Sequence, residues 1–204
     1  DSYSRILKKG GVTLSTTPGH ANAVPALANA MHSEAPIINI AGSAESPNIG
    51  RGAMQEFDQV GVAAPVTKGA WNVPTPERIP EYVALAFRTA LSGRQGPVHL
   101  TIPHDFQQAE VDDSEVARYA PNEYGTPLQV LGDPAQIERA IDLLSTAQRP
   151  VILAGSSAGA TAEASEVLRL VETMRIPFFS EDSARALIPD SHEYSMGLGY
   201  QHLN

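Results

Sequence analysis

Short apolar runs alternate with helix-like segments along the chain, and this order restricts the possible folds strongly. Residues 37–41 (IINIA) and 98–102 (VHLTI) are typical of buried parallel strands. Between them, the pair Thr75-Pro76 offers an N-cap residue followed by proline at the first helical position, and apolar residues continue at helical spacing. The order strand, helix, strand predicts an α/β fold with a parallel sheet.

A second unit of the same kind begins at Asp133-Pro134 and contains the strand-like runs 151–154 (VILA) and 177–180 (PFFS). Only about two strands are predicted before Asn204, and none before residue 12. Doubly wound domains usually have roughly 100–150 residues. We therefore predict two doubly wound, flavodoxin-like or Rossmann-like units, both incomplete.

The two units are separated by a segment without periodicity. Residues 107–132 are acidic and contain Pro, Asn and Gly, which is typical of a linker. The predicted organisation is one domain over residues 1–106, a linker over 107–132 and a second domain over 133–204.

The composition excludes several classes of function. A net charge of −9 and a pI near 5.1 argue against nucleic acid or an anionic membrane as a partner. The absence of cysteine excludes disulfides, thiolate metal sites and a cysteine nucleophile. No apolar run approaches the roughly 20 residues of a membrane span, and no signal peptide is recognised. A cytoplasmic location is predicted.

Two connections could bind a ligand. Residues 16–22 (TTPGHAN) form a strand-to-helix turn whose backbone amides could receive a polar group or an anion, although Pro-Gly turns are also common as plain structure. Residues 42–58 form a long glycine-containing loop after a buried strand, where ligands bind in open α/β sheets. The alternative for this loop is a solvated connection.

Other motifs are weaker. Residues 155–159 (GSSAG) lie between a strand and a helix, but they lack the spacing G-x-G-x-x-G, so a structural turn competes with nucleotide binding and a nicotinamide dehydrogenase is disfavoured. The histidines show no metal-ligand spacing; His20 and His104 are of interest because they lie at strand ends. No metal ligand is predicted.

Several motifs in one order resemble thiamine-diphosphate-dependent enzymes of the acetolactate synthase kind. The family pattern G-P-G-x-x-N, F-Q-E and G-R-x-G-P-V-x-L-x-I-P-x-D is similar to TTPGHAN, MQEFD and GRQGPVHLTIPHD here. This resemblance covers residues 1–106, in the pyrimidine-binding domain. Residues 149–159 (RPVILAGSSAG) are similar to the start of the family's middle domain.

The resemblance implies a carboligase or decarboxylase of 2-oxo acids that uses thiamine diphosphate and Mg²⁺. Pro18, Gly19 and Asn22 would lie beside the aminopyrimidine ring, and Gln55 would face the substrate near the coenzyme of a partner subunit, so the protein would be at least a dimer. FAD, which some relatives hold against the middle domain, is left open.

This sequence departs from the family pattern at Thr17, His20, Met54 and His104, which leaves room for another 2-oxo acid or an aldehyde as substrate. The family's catalytic glutamate and its G-D-G metal-diphosphate motif have no counterpart here. We therefore expect an enzyme fragment that is inactive alone. The alternative is a non-catalytic binding or regulatory module with the same fold.

Overall fold

The computed structural model describes residues 2–7, 9–120, 131–161, 163–181 and 184–199. The chain divides into two compact units, Asp1–Leu128 and Gln129–Asn204. Their boundary falls within residues 107–132, of which 121–130 lie outside the described residues. The exact domain limits stay a prediction.

The first unit contains four helices and four strands among its described residues. In chain order these are α1 (Ser2–Leu7), β1 (Gly11–Ser15), α2 (Thr17–His32), β2 (Ile37–Ser43), α3 (Gln59–Ala63), β3 (Ala70–Asn72), α4 (Ile79–Leu91) and β4 (Val98–Pro103). Short 3-10 turns occupy Ser46–Asn48, Ala64–Val66, Pro76–Arg78 and Asp105–Gln107.

The four strands form one parallel sheet in the order β1-β2-β4-β3. The central strand β4 is buried along its whole length. On one face, Ile38 and Leu100 pack with Ala86 and Ala90 of α4, and burial of such side chains is worth about 1.5–3 kcal/mol each. All parallel strands leave their carboxyl ends at the same edge, so the connections that follow β1, β2 and β4 meet there.

The second unit repeats this architecture on a smaller scale. Its elements are α5 (Pro134–Thr146), β5 (Ile152–Ala154), α6 (Ser156–Thr161), α7 (Ala164–Met174), β6 (Phe178–Ser180) and β7 (Ser195–Leu198). The strands are parallel in the order β5-β6-β7. The core contains Val171 and Phe178, and Asp133 caps α5 by accepting a hydrogen bond from the Ala135 amide.

The α/β class with parallel sheets is confirmed, while one local prediction is wrong. The second unit has a third strand, β7, which was not predicted because its four residues include Gly197 at φ 78° and show no apolar pattern. Residues 155–159 follow β5 and open the short helix α6. That either unit is incomplete stays a prediction. Within the described ranges, no helix has the length and hydropathy needed to cross a bilayer.

Candidate functional site

A cavity of about 570 Å³ lies at the carboxyl edge of the first sheet. Three connections line it. Thr16 comes from the β1–α2 turn, Gln55 from the loop after β2, and His104 and Gln107 from the segment after β4. The sheet topology therefore brings together the two connections that the sequence indicates as possible ligand sites, together with His104.

A second cavity of about 520 Å³ shares Ser43 and Ala44 with the first. Its polar lining residues include Glu56, Asp58 and Thr101. The loop of residues 44–58 thus contributes to the walls of both cavities.

The predicted coenzyme residues lie in the first two turns of α2. Pro18, Gly19 and Asn22 are all exposed, and they adjoin Thr16 without lining the cavity themselves. A Cβ added to Gly19 would come within 3.2 Å of the Ser15 Cβ, so glycine permits the close approach of α2 to the end of β1. An accessible surface of small residues is available here for a flat ring.

Gln55 lies on the cavity wall with an unusual backbone. It is exposed and has φ 67°, the left-handed region that non-glycine residues rarely adopt. Such a conformation costs of order 1 kcal/mol or more and needs support from its surroundings.

That support comes from the neighbouring carboxylate. Glu56 accepts hydrogen bonds from the backbone amides of Gly50 and of Ala53, the latter at 3.0 Å. Gly50 and Gly52 have φ 82° and 70°, which turns successive amides toward one point and forms a nest for an anion. These hydrogen bonds, first of all that from Gly50, hold the pKa of Glu56 below its ordinary value. Glu56 therefore fixes the tip of the loop that carries Gln55.

Replacing Glu56 by Gln is expected to loosen this tip, since a neutral amide oxygen accepts hydrogen bonds more weakly than a carboxylate. Hydrogen exchange at the Gly50 and Ala53 amides should accelerate at least about tenfold. Glu45→Gln, on the same loop, is the matched control and should leave both amides unchanged. Equal protection in Glu56→Gln and wild type would contradict the role of Glu56.

The same loop is anchored at its beginning. Asp105, just after β4, accepts hydrogen bonds from the backbone amide of Ser46 at 2.9 Å and from its hydroxyl at 2.5 Å. Burial opposes ionisation of Asp105, but these hydrogen bonds outweigh it, so its pKa is lowered. The loop after β2 is thereby tied to the segment after β4.

A buried polar network lies directly beneath this edge. Its side chains belong to four different elements and are between 0% and 6% exposed: Thr17, His20, Asn39, Gln59, His99 and Thr101. Burial of so many polar groups is tolerated only when each has a hydrogen-bond partner. Members of the network supply these partners, together with the Thr13 hydroxyl and the Gly42 carbonyl.

Gln59, at the start of α3, joins three connections. Its amide NH₂ donates to the Thr17 hydroxyl at 2.9 Å and to the Gly42 carbonyl at 2.9 Å. Its amide oxygen accepts from the Thr101 hydroxyl at 3.0 Å. One side chain therefore holds the β1–α2 turn, the end of β2 and the end of β4 together.

Two imidazoles stack within the network. The ring centroids of His20 and His99 are 4.0 Å apart, with planes 24° from parallel, and both side chains are fully buried. Nδ1 of His20 and Nδ1 of His99 contact the Asn39 side-chain amide at 2.8 and 2.9 Å. Burial, and second the neighbouring His20, lowers the pKa of His99 to about 3.

The two histidines singled out in the sequence thus have different environments. His20 is a hydrogen-bonded residue of the core, whereas His104 is exposed on the cavity wall, with Nε2 3.2 Å from the Gln108 side-chain nitrogen. Asn39, Gln59 and His99 were not predicted as site residues from the sequence. The available signal was a polar residue inside each of the apolar runs IINIA and VHLTI.

Comparison with known proteins points to the same enzyme family as the sequence motifs. Residues 1–62 match the thiamine pyrophosphate enzyme N-terminal TPP-binding domain, and residues 137–204 match the central domain of the same enzymes; thiamine pyrophosphate is thiamine diphosphate under another name.

Individual relatives include two acetolactate synthases and a decarboxylase. The chain is 34% identical over 204 residues to a probable acetolactate synthase large subunit of Methanocaldococcus jannaschii (99% of this chain, 34% of the relative). It is 35% identical to the acetolactate synthase large subunit of Corynebacterium glutamicum (98% and 32%), and 32% identical to oxalyl-CoA decarboxylase of Escherichia coli (93% and 34%).

The chain spans about a third of the length of these curated relatives. Two successive domain models of one enzyme family match it, and so do relatives along nearly its whole length. The chain therefore belongs to the thiamine pyrophosphate enzyme family and is similar to acetolactate synthase large subunits.

Proposed function

We propose that this chain supplies the pyrimidine side of the active site in a thiamine-diphosphate- and Mg²⁺-dependent enzyme that joins or decarboxylates 2-oxo acids. The supporting observation is the cavity at the carboxyl edge of the first sheet, which is lined by both Thr16 of the TTPGHAN turn and Gln55 of the MQEFD loop. The departures from the family pattern are equally compatible with a 2-oxo acid other than the acetolactate synthase substrate, or with an aldehyde.

The beginning of α2 suits the aminopyrimidine ring. Pro18 and Gly19 offer an exposed surface without long side chains, and Asn22, also exposed, offers an amide to the ring's polar edge. When bound, thiamine diphosphate supplies a carbon nucleophile that adds to the substrate carbonyl and accepts the electron pair left by decarboxylation. The residues of this chain orient the ring and close one wall of the site.

Gln55 is proposed to contact the substrate. Its side chain is exposed on the cavity wall, and Glu56 fixes its backbone. By the family pattern the substrate would sit on the coenzyme of a partner subunit, so the parent protein would be at least a homodimer. The catalytic glutamate and the Mg²⁺-diphosphate anchors are assigned to other parts of the parent protein. The chain alone is therefore expected to be inactive, and cytoplasmic location and FAD stay predictions.

The test uses the full-length gene product with thiamine diphosphate and Mg²⁺. Asn22→Ala should weaken coenzyme binding in calorimetric titration about tenfold, the equivalent of one hydrogen bond of about 1.4 kcal/mol. The matched control is Asn29→Ala, at the other asparagine of α2, and it should bind as wild type does. Gln55→Ala should lower kcat at least about tenfold for the 2-oxo acid that the wild type turns over, with coenzyme affinity unchanged.

The outcomes separate the enzyme from a non-catalytic module. A full-length product that binds no coenzyme would contradict the proposal and favour a binding or regulatory role. If the protein bound the coenzyme but turned over no 2-oxo acid, the proposed cofactor would stand and the proposed substrate class would be wrong.

A further inference from the structure

The hydrogen-bond partners at the two ends of the buried network fix the protons within it. Nε2 of His20 faces the backbone carbonyl of Gln59 at 3.2 Å, and a carbonyl only accepts. His20 must therefore carry a proton on Nε2.

The same reasoning reaches His99 from the opposite end. The Gly42 carbonyl accepts from the Gln59 amide NH₂, which turns the Gln59 oxygen toward Thr101. The Thr101 hydroxyl donates its single proton to that oxygen. It can therefore only accept a hydrogen bond from Nε2 of His99, 2.8 Å away. His99 must also carry a proton on Nε2.

The two Nδ1 atoms then decide the charge of the rings. Both contact the same end of the Asn39 amide. If that end were the oxygen, each Nδ1 would need a proton as well, and both rings would be cations. Two buried cations 4.0 Å apart would each lack hydration and repel the other. Among the described residues, no carboxylate makes a hydrogen bond or ion pair with either ring. The neighbours of the rings are the side chains of Asn39 and Thr101, the Gln59 carbonyl and the Phe57 ring, whose centroid lies 6.1 Å from that of His20.

We propose that Asn39 is a positioning residue: its amide NH₂ donates one hydrogen bond to Nδ1 of His20 and one to Nδ1 of His99. This orientation exchanges the amide oxygen and nitrogen of Asn39 relative to the structure, in which the nitrogen lies 2.9 Å from the Thr13 hydroxyl. After the exchange, the Asn39 oxygen accepts a hydrogen bond from that hydroxyl. Both rings are neutral, with their protons on Nε2, and every donor in the chain of contacts has an acceptor.

The consequence is a defined position for Gln59. Nε2–H of His20 holds its backbone carbonyl, and Nε2–H of His99 holds Thr101, which holds its side-chain oxygen. Gln59 in turn fixes Thr17 beside the exposed turn of α2 and Gly42 at the root of the loop. A change of tautomer at either ring would reverse one of these hydrogen bonds and disturb the edge of the sheet.

The test is ¹⁵N NMR of the histidine-labelled chain at pH 7 without coenzyme, which keeps it independent of the proposed function. Long-range ¹H–¹⁵N correlations distinguish the two neutral tautomers and the cation of each ring. Both His20 and His99 are expected to show a protonated Nε2 and a bare Nδ1. A proton on Nδ1 of either ring in the wild type would overturn the proposal.

Asn39→Asp provides a second measurement, because a carboxylate has the same shape but cannot donate. At least one ring should then become a cation that persists above pH 7, and its Nδ1 and Nε2 signals should move to imidazolium positions. Asn29→Asp, the same change at an exposed site of α2, should leave both tautomers as in the wild type. Two neutral Nε2–H rings in folded Asn39→Asp would also contradict the proposal. If that variant does not fold, the wild-type spectrum alone decides.

Discussion

Acidification from pH 6.5 to 4 is expected to lower the free energy of unfolding of the first unit by roughly 3 kcal/mol through His99 alone. The pKa of His99 is lowered from 6.5 to about 3, first by burial and second by His20. In the unfolded chain this ring takes up a proton below pH 6.5, whereas the folded chain keeps it neutral to about pH 3. The unfolded state binds more protons in that interval, so stability falls as the pH falls.

The measurement is denaturant unfolding followed by the fluorescence of Trp71, the chain's only tryptophan. Trp71 lies in β3 opposite Leu100 of β4, so it reports on the sheet that contains His99. The carboxylates also titrate below pH 5, and His99→Gln isolates the histidine: its pH slope should be smaller than that of wild type by up to about 1.4 kcal/mol per pH unit. His32→Gln, at an exposed histidine, should retain the wild-type slope. Parallel wild-type and His99→Gln profiles would exclude a neutral buried His99.

The elements of the fold were predictable where the sequence contains residues that begin or end helices and strands. Prolines and glycines end the apolar runs at residues 37–41 and 98–102, and the Asp133-Pro134 pair marks the beginning of α5. The strand β7 lacks such marks, since it is short and contains a glycine with positive φ. Local patterns therefore predict an element only when its own residues favour it over the alternatives.

The buried network required information that no local pattern carries. Asn39 and His99 are 60 residues apart, and they meet because β4 pairs with β2 in a register that places them opposite each other. A polar residue inside a buried strand indicates that a partner must exist, but only strand order and register identify it. The left-handed backbone of Gln55 likewise has no signature in the residue type, and it lies in a loop whose tip is held by hydrogen bonds from Gly50 and Ala53 to Glu56.

Replacing Gln59 by Leu is expected to cost about 3 kcal/mol or more of stability in the first unit. The substitution keeps the approximate volume but removes two donated hydrogen bonds and one accepted bond, and a buried polar group left without a partner costs about 1–3 kcal/mol. Thr101 and the Gly42 carbonyl are the groups most affected. Gln108→Leu, at an exposed glutamine, should change stability by no more than about 0.5 kcal/mol.

Gln59→Glu separates a directional network from simple packing. A carboxylate can accept from Thr101 but would face the Gly42 carbonyl without a proton to donate, so burial and this contact should raise the pKa of the new group. Protonation would restore one donor. For a raised pKa, the added stability is present below the unfolded value and is lost as the pH rises, so this variant should regain stability relative to wild type on mild acidification. This gain of stability on acidification is opposite to the loss expected from His99. If Gln59→Glu and the wild type had the same dependence of stability on pH, Gln59 would act only by filling space.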